Sequence, residues 1–252
     1  MSSQAHSATG EQIRMRTGQK SWSPLRVLTA TALAAWAGLF WFLIAADRTE
    51  LYLSSRTAWV VPMGAVILTI AALGRLFSAR VDYPEPIGRR DTLGLALIIL
   101  PVVTVLALPP TSLGSFAASR RSSLTSGSFV SSAEDISSGE LSLVDVSGAT
   151  RSREAMRALV QRAGEEVSFT GFVTRDSTTP ANEFVLTRFL ISCCVADALS
   201  AEVRVVGAPP GKFKEDQWVR VEGAMYPLGR EVIVDASNVV GVDRPKRPYL
   251  NP

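Results

Sequence analysis

Residues 27–46 read VLTATALAAWAGLFWFLIAA, a stretch of 20 residues without a charge. At about 1.5 Å per residue, a helix of this length spans the roughly 30 Å hydrocarbon core of a bilayer. A cleaved signal peptide usually has a short start and an apolar core of about 7–15 residues, whereas 26 residues precede this longer stretch. The stretch therefore predicts a retained transmembrane helix and a membrane-anchored protein.

Two further apolar stretches follow. Residues 57–74 and 92–110 contain 18 and 19 residues without a charge, and Pro101 lies near the middle of the second. A buried helix of a soluble protein could have the same composition. A proline inside a transmembrane helix frees a backbone group that neighbouring helices can satisfy. We therefore predict a disordered cytoplasmic tail over 1–26 and a three-helix transmembrane region over 27–110. The region is expected to pack against a partner outside this three-helix bundle.

The basic residues that flank these stretches indicate the orientation of the chain, because Lys and Arg in short flanks resist translocation. The flanks carry four, two, four and two of them in chain order. These residues are Arg14, Arg16, Lys20 and Arg26, then Arg48 and Arg56, then Arg75, Arg80, Arg89 and Arg90, then Arg120 and Arg121. The alternation predicts a multi-pass protein of the cell membrane with a cytoplasmic N-terminus and an extracytoplasmic C-terminal domain.

The charge of the chain is divided in the same way. The formal net charge is +3, with 47% hydrophobic and 19% charged residues overall. Up to Pro110 there are 10 basic and 6 acidic residues, and after it there are 16 basic and 17 acidic residues. The excess positive charge thus lies beside the apolar stretches, which suits anionic lipid headgroups better than a nucleic-acid groove. We expect contact with membrane lipid and no nucleic-acid partner.

The chain after the third stretch begins with serine-rich sequence. Residues 111–139 contain 11 serines and hardly any apolar periodicity, which predicts a flexible linker to a domain over 140–252. In this domain a helical spacing of apolar residues follows Ser152, a candidate N-cap. The apolar residues at this spacing are Met156, Leu159, Val160 and Ala163.

From Val167 onward the hydrophobic period changes to two, and turn residues separate short runs. The predicted strands are 167–175, 184–195, 202–206, 217–225 and 231–241. Gly171 and Gly223 fall inside strands, where a barrel has to bulge or bend. The fold class is therefore membrane-anchored α + β: three transmembrane helices followed by a small all-β, partly open barrel of the oligonucleotide/oligosaccharide-binding (OB) type with one flanking helix. A small sandwich is the alternative, because 207–216 leaves no room for a helix between the third and fourth strands.

The sequence lacks the residues that most kinds of catalytic site need. The only histidine, His6, lies in the predicted tail, so no Ser-His-Asp or Cys-His arrangement can form in the folded domain. The sequence has neither a phosphate-binding glycine loop nor a dinucleotide fingerprint. We expect a protein that is not an enzyme, and the sequence assigns it no cofactor.

The remaining candidate residues are the adjacent pair Cys193 and Cys194, followed by Asp197. On a regular strand neighbouring side chains alternate, so the period places Cys193 in the core and Cys194 outside. Three interpretations stay open: a packed thiol beside a bystander, a strained vicinal disulfide that acts as a redox switch, or a soft-metal site assisted by Asp197. Two thiolates and a carboxylate leave a zinc shell incomplete, so a partner or a second copy would have to add ligands.

Several motifs around these cysteines form a recognisable set. They are TRFLISCCVADA at 187–198, GFVTR at 171–175, WVRVEG at 218–223, RPKRPYLNP at 244–252 and YLSSR at 52–56. This set resembles the YcgQ-like family of predicted two-component permease subunits, closely over 165–252, although a proline of that family is absent near 52–56. The resemblance implies a membrane-anchored subunit that works beside a larger, separately encoded polytopic permease subunit. It implies no substrate, and only Cys193, Cys194 and Asp197 carry over as candidate functional positions.

The leading hypothesis is a non-enzymatic accessory subunit of a permease complex that presents an extracytoplasmic β domain with a vicinal cysteine pair. The alternative is a stand-alone membrane-tethered protein for thiol redox or soft-metal sensing. A binding module for an envelope polymer could be argued from fold analogy alone.

Overall fold

The structure is a computed structural model, and it describes residues 21–81, 87–108, 111–120, 132–229 and 231–251. The predicted tail before residue 21 lies outside the described residues. The chain divides into two compact units, Met1–Asp47 with Trp59–Pro109, and Arg48–Ala58 with Pro110–Pro252. The second unit thus contains a short loop that comes, in sequence, from between the first two long helices.

The long helices of the first unit are α1 (Pro24–Ala45), α2 (Val60–Phe77) and α3 (Arg89–Ala107). Among the described residues, these three helices are long and apolar enough to cross a membrane. The predicted apolar helices are confirmed, with ends shifted by one to three residues. Their length and composition indicate a membrane-associated protein.

Polar side chains join α1 to α2. The indole Nε1 of Trp41 donates a hydrogen bond to Thr69 Oγ1 at 3.2 Å. Near the other end of the pair, Arg75 Nε donates to Thr29 Oγ1 at 3.1 Å. These bonds satisfy polar groups of an otherwise apolar helix pair. Such groups need partners within the protein, because the core of a bilayer offers them no water.

A short ribbon also belongs to the first unit. Its strands, β1 (Ser21–Trp22) and β2 (Arg80–Val81), pair antiparallel. Residues 21–26, which the sequence assigns to the end of a disordered tail, therefore lie in this ribbon and in the first turn of α1. Pro24 suits that turn, since a proline at the start of a helix loses no intrahelical hydrogen bond.

Five strands of the second unit close into a barrel. They are β3 (Glu166–Thr174), β4 (Phe184–Leu190), β5 (Leu199–Val206), β6 (Trp218–Leu228) and β7 (Glu231–Gly241). The order around the barrel is β3-β4-β5-β7-β6, and β6 pairs back onto β3. Only β5 and β7 run parallel within this barrel. The barrel is therefore closed, which corrects the predicted partly open form and excludes the sandwich, because pairing β3 with β6 leaves no free sheet edge.

Two glycines allow the barrel strands to approach each other closely. A Cβ on Gly223 would lie 2.1 Å from the carbonyl oxygen of Asp235, and one on Gly171 would lie 2.7 Å from that of Thr187. The β6–β7 register shifts between Glu222 and Gly223. The predicted bend at Gly223 is thus confirmed, and a larger residue there would push the two strands apart.

Short helices accompany the barrel in the described residues: α4 (Ser115–Ala118), α5 (Ala133–Ser138), α6 (Leu143–Ala149) and α7 (Arg153–Gln161). The predicted flanking helix is α7, whose N-cap Ser152 accepts a hydrogen bond from the Ala155 N–H at 3.3 Å. Helix α6 was not predicted, because its seven residues are too few to show a helical period.

The serine-rich segment predicted as a flexible linker packs on the barrel where the structure describes it. Ile136 of α5 is 0% exposed and belongs to the main hydrophobic core. Arg162 donates to the carbonyl oxygens of Ile136 and Gly139 at 2.5 and 2.7 Å. Farther upstream, the Ser115 N–H and hydroxyl both donate to the carboxylate of Asp216. A single buried isoleucine produces no hydrophobic periodicity, so the sequence does not show that this segment packs on the barrel.

We expect Ile136→Ala to lower the free energy of unfolding of the barrel by about 2–5 kcal/mol, because it leaves a cavity in a closed core. Val160→Ala is the control: Val160 is 49% exposed, and we expect a change of about 0.5 kcal/mol or less. Urea unfolding of the purified full-length chain measures both. Equal unfolding midpoints for the two variants would show that residues 132–139 are only a tether.

Candidate functional site

The cysteine pair lies in a loop that follows β4, here called the cysteine loop (residues 191–197). Strand β4 ends at Leu190, so its alternation of side chains does not reach the cysteines. Cys193 is exposed, Cys194 is partly exposed, and both are free thiols. The prediction that Cys193 points into the core is therefore wrong, because the strand was predicted to continue to residue 195 and ends five residues earlier, at Leu190.

Asp197 holds the cysteine loop in a tight turn. One carboxylate oxygen accepts the Ser192 N–H at 3.0 Å, and the other accepts the Cys193 N–H at 2.8 Å. The Sγ atoms of Cys193 and Cys194 lie 3.6 Å apart. The two sulfurs and a carboxylate oxygen of Asp197 all lie within 4.8 Å of one another. The structure thus brings the three predicted residues together at one point.

The same arrangement makes the Cys193 thiol a poor acid. A hydrogen bond from this thiol to Asp197 is the main reason that the pKa of Cys193 rises to about 11, and the contact with Cys194 raises it further. For Asp197, desolvation is the largest effect and opposes ionisation, but hydrogen bonds from Cys193, Ser192 and Cys194 outweigh it and lower the carboxyl pKa. At neutral pH the site therefore holds an ionised carboxylate beside a protonated Cys193 thiol.

A second segment, here called the docking loop (residues 48–58), frames the cysteine loop. Leu53 and Cys194 face each other in an antiparallel bridge. The flanking backbone hydrogen bonds run from the Val195 N–H to the Tyr52 carbonyl at 3.0 Å and from the Ser54 N–H to the Cys193 carbonyl at 3.1 Å. This pattern makes Leu53 and Cys194 a non-hydrogen-bonded pair, the kind in which opposite side chains lie closest.

Side chains of the docking loop add to this backbone pairing. Thr57 Oγ1 donates to the Cys193 carbonyl at 2.6 Å, so that carbonyl accepts two hydrogen bonds. Ser54 Oγ donates to Asn251 Oδ1 at 2.8 Å. The docking loop therefore holds both the cysteine loop and the last described residues of the chain.

The segment 247–251 completes the frame. Leu250 pairs with the end of β4: its N–H donates to the Phe189 carbonyl at 2.8 Å, and its carbonyl accepts the Ile191 N–H at 3.0 Å. Arg188 Nε donates to the Pro248 carbonyl at 3.0 Å. The cysteine loop thus leaves the barrel between two segments that are distant from it in sequence.

The sequence predicted the three candidate residues that lie together here, but not the segments that hold them. Neither 48–58 nor 247–251 shows a periodicity or composition that indicates contact with Cys193. Two of the motifs that carry the resemblance, YLSSR at 52–56 and RPKRPYLNP at 244–252, nevertheless overlap these segments.

The docking can be tested with Leu53→Cys in a Cys193→Ser background. Directly opposed residues of a non-hydrogen-bonded pair have Cα atoms about 4.5 Å apart, within the usual range for a disulfide. We expect the introduced thiol to form an intrachain disulfide with Cys194 under mild oxidation, detected by mass spectrometry of the peptides. Tyr52→Cys in the same background is the control, since its side chain points to the opposite face. Equal yields from the two positions would argue against the bridge.

The raised pKa of Cys193 predicts slow alkylation. In a Cys194→Ser background, Asp197→Asn removes the carboxylate that accepts the thiol hydrogen bond and repels the thiolate, so the Cys193 pKa falls. We expect alkylation at about pH 8 to become roughly tenfold faster, after allowance for the lower nucleophilicity of a more acidic thiol. In denaturant the two proteins should react at the same rate, and this is the control. An unchanged rate in the folded protein would contradict the role of Asp197.

Comparison with known proteins gives a match for the C-terminal part of the chain. No curated protein matches the chain. Residues 143–252 match the family model described as the DUF1980 C-terminal domain. The matched region begins at α6 and contains the barrel, the cysteine loop and the segment 247–251, but neither the docking loop nor the long helices. The C-terminal part of the chain is therefore similar to the DUF1980 C-terminal domain.

Proposed function

We propose that the protein is a membrane-anchored accessory subunit of a permease complex, with no enzymatic activity of its own. Its partner is a larger polytopic permease subunit, as in the YcgQ-like family whose motifs the chain resembles. The observation that carries this proposal is the exposed apolar surface of α3. Leu93 and Leu97 are each 71% exposed. Only 6% of the most apolar stretch of α3, 18 residues long, is buried.

The backbone of α3 favours a protein over lipid as the cover for part of this surface. Pro101 has no N–H, so the carbonyl of Leu97 lacks its usual partner in the helix. Lipid tails offer no hydrogen-bond donor, and an unpaired carbonyl in hydrocarbon is costly. A neighbouring transmembrane helix can supply a polar side chain to that carbonyl.

We further propose that the N-terminus is cytoplasmic and that the barrel is extracytoplasmic in the cell membrane. The counts of Lys and Arg in the flanks support this orientation. Three spans would place the docking loop and the chain after α3 on the same side, which agrees with their packing in one unit. We assign the five-stranded barrel to the OB type as a closed variant, a fold that can carry many unrelated sites.

A photoreactive amino acid in place of Leu97 tests the partner. In native membranes we expect irradiation to give an adduct with a polytopic membrane protein, identified by mass spectrometry. The same probe at Val102, which is 5% exposed, is the matched control and should react within the chain. Lipid adducts alone at Leu97 would contradict the accessory-subunit proposal.

A specific observation also favours the second candidate, a stand-alone protein for thiol redox or soft-metal sensing. The two sulfurs lie close together, and Cys193 is exposed, so an oxidant or a metal ion in solution can reach them. This candidate needs no permease. It therefore predicts lipid adducts alone at Leu97, together with loss of function in Cys193→Ser and Cys194→Ser.

A further inference from the structure

We propose that the Sγ atoms of Cys193 and Cys194 and one carboxylate oxygen of Asp197 form an exchangeable binding site for a zinc-class divalent cation. This inference goes beyond the accessory role and does not depend on it, because the three ligands belong to this chain alone. It also selects one of the open interpretations of the cysteine pair. The ligand is a metal ion, and the site leaves one coordination position for water or for another molecule.

The spacing of the two sulfurs is the first argument. Two thiolates on a tetrahedral zinc ion, each about 2.3 Å from the metal, lie about 3.8 Å from each other. The observed separation is 3.6 Å, so little movement is needed to bind a metal. A disulfide needs a separation of about 2.05 Å, and adjacent residues reach it only with strain. The turn thus holds the sulfurs at a spacing that suits a shared metal better than a bond between them.

The mixture of ligands is the second argument, and it identifies the class of metal. Thiolates disfavour Mg²⁺ and Ca²⁺, which take oxygen ligands. The carboxylate disfavours Cu⁺, which prefers sulfur. Zn²⁺ accepts both thiolate and carboxylate ligands, as does its larger congener Cd²⁺, and Co²⁺ replaces Zn²⁺ in such sites as a coloured probe.

The support around the ligands is the third argument. Asp197 is oriented by the N–H groups of Ser192 and Cys193. The carboxylate also accepts a hydrogen bond from the Cys193 thiol, and a metal that displaces this thiol proton can take its place on the oxygen. The Cys193 carbonyl is fixed by Ser54 and Thr57 of the docking loop. Such outer contacts orient metal ligands and increase their affinity. Because these contacts use the backbone of Cys193, its thiol stays exposed.

The number of ligands indicates what the site does with its metal. Structural zinc sites are closed by four protein ligands, whereas sites with three protein ligands keep a position open. Because Cys193 is exposed, an open position beside it can be reached from solvent. A second protein can therefore donate a ligand there, and the ion can be passed on without the site unfolding.

Cobalt titration of the purified full-length chain tests the site. The chain is isolated in detergent without a polyhistidine tag, reduced, and freed of metal with a chelator. We expect one Co²⁺ per chain, with a sulfur-to-cobalt charge-transfer band that disappears when Zn²⁺ is added. Cys193→Ser and Cys194→Ser should each weaken this band, and Asp197→Asn should weaken Co²⁺ binding by about tenfold or more. The control is Ser192→Ala, which keeps the backbone N–H and should bind like the wild type.

Two outcomes would overturn the site: no charge-transfer band in the reduced wild-type chain, or a band as strong in both serine variants as in the wild type. Circular dichroism and the urea midpoint establish that each variant is folded, and the serine variants keep the size of the side chain. The titration uses the isolated chain and the crosslinking uses native membranes. A failure of one proposal is therefore distinguishable from a failure of the other.

Discussion

Backbone pairing between the docking loop and the cysteine loop fixes the position of the candidate site. The cysteine loop follows the end of β4, so the hydrogen bonds of the barrel do not extend to it. Ser54 and Thr57 instead bind the carbonyl of Cys193, and Val195 binds that of Tyr52. Because these contacts involve the main chain of the cysteine loop, they restrain its conformation and leave the sulfur atoms accessible.

Asp197 has two effects in this arrangement: it stabilises the cysteine loop, and it makes the Cys193 thiol harder to ionise. Its carboxylate closes the turn through two N–H groups, which stabilises the loop. The same carboxylate raises the pKa of Cys193, chiefly by accepting a hydrogen bond from its thiol, and keeps this thiol protonated. A resting thiol of this kind reacts slowly with electrophiles and disulfides, because only the thiolate is nucleophilic. A cation between the carboxylate and the sulfurs would remove the conflict, since it attracts all three groups.

The sequence predicted the elements whose signals are local. The apolar stretches gave the long helices to within three residues, and the change of period at Val167 gave the barrel strands. Strand β7 was predicted with the bounds that the structure has, because turn residues delimit it on both sides. The closure of the barrel was not predicted, since it depends on the pairing of β3 with β6, which lie far apart in the chain.

For the candidate site, composition drew attention to the three candidate residues, because Cys is rare in this chain and Asp197 lies close by. The orientation of Cys193 was not predicted, since nothing local shows that the strand ends at Leu190. The same limit applies to Ile136, a single apolar side chain in serine-rich sequence. It also applies to the docking loop, whose contacts join residues more than one hundred positions apart.

The docking loop also has a consequence for the order in which the protein is made. Thr57 precedes Cys193 by 136 residues, so at about 5–20 residues per second the ribosome completes the loop on the order of ten seconds before its pairing partner exists. During that interval α2 and α3 are synthesised, and the loop cannot yet form its hydrogen bonds to the cysteine loop. The candidate site can therefore be assembled only after α2 and α3 have been synthesised.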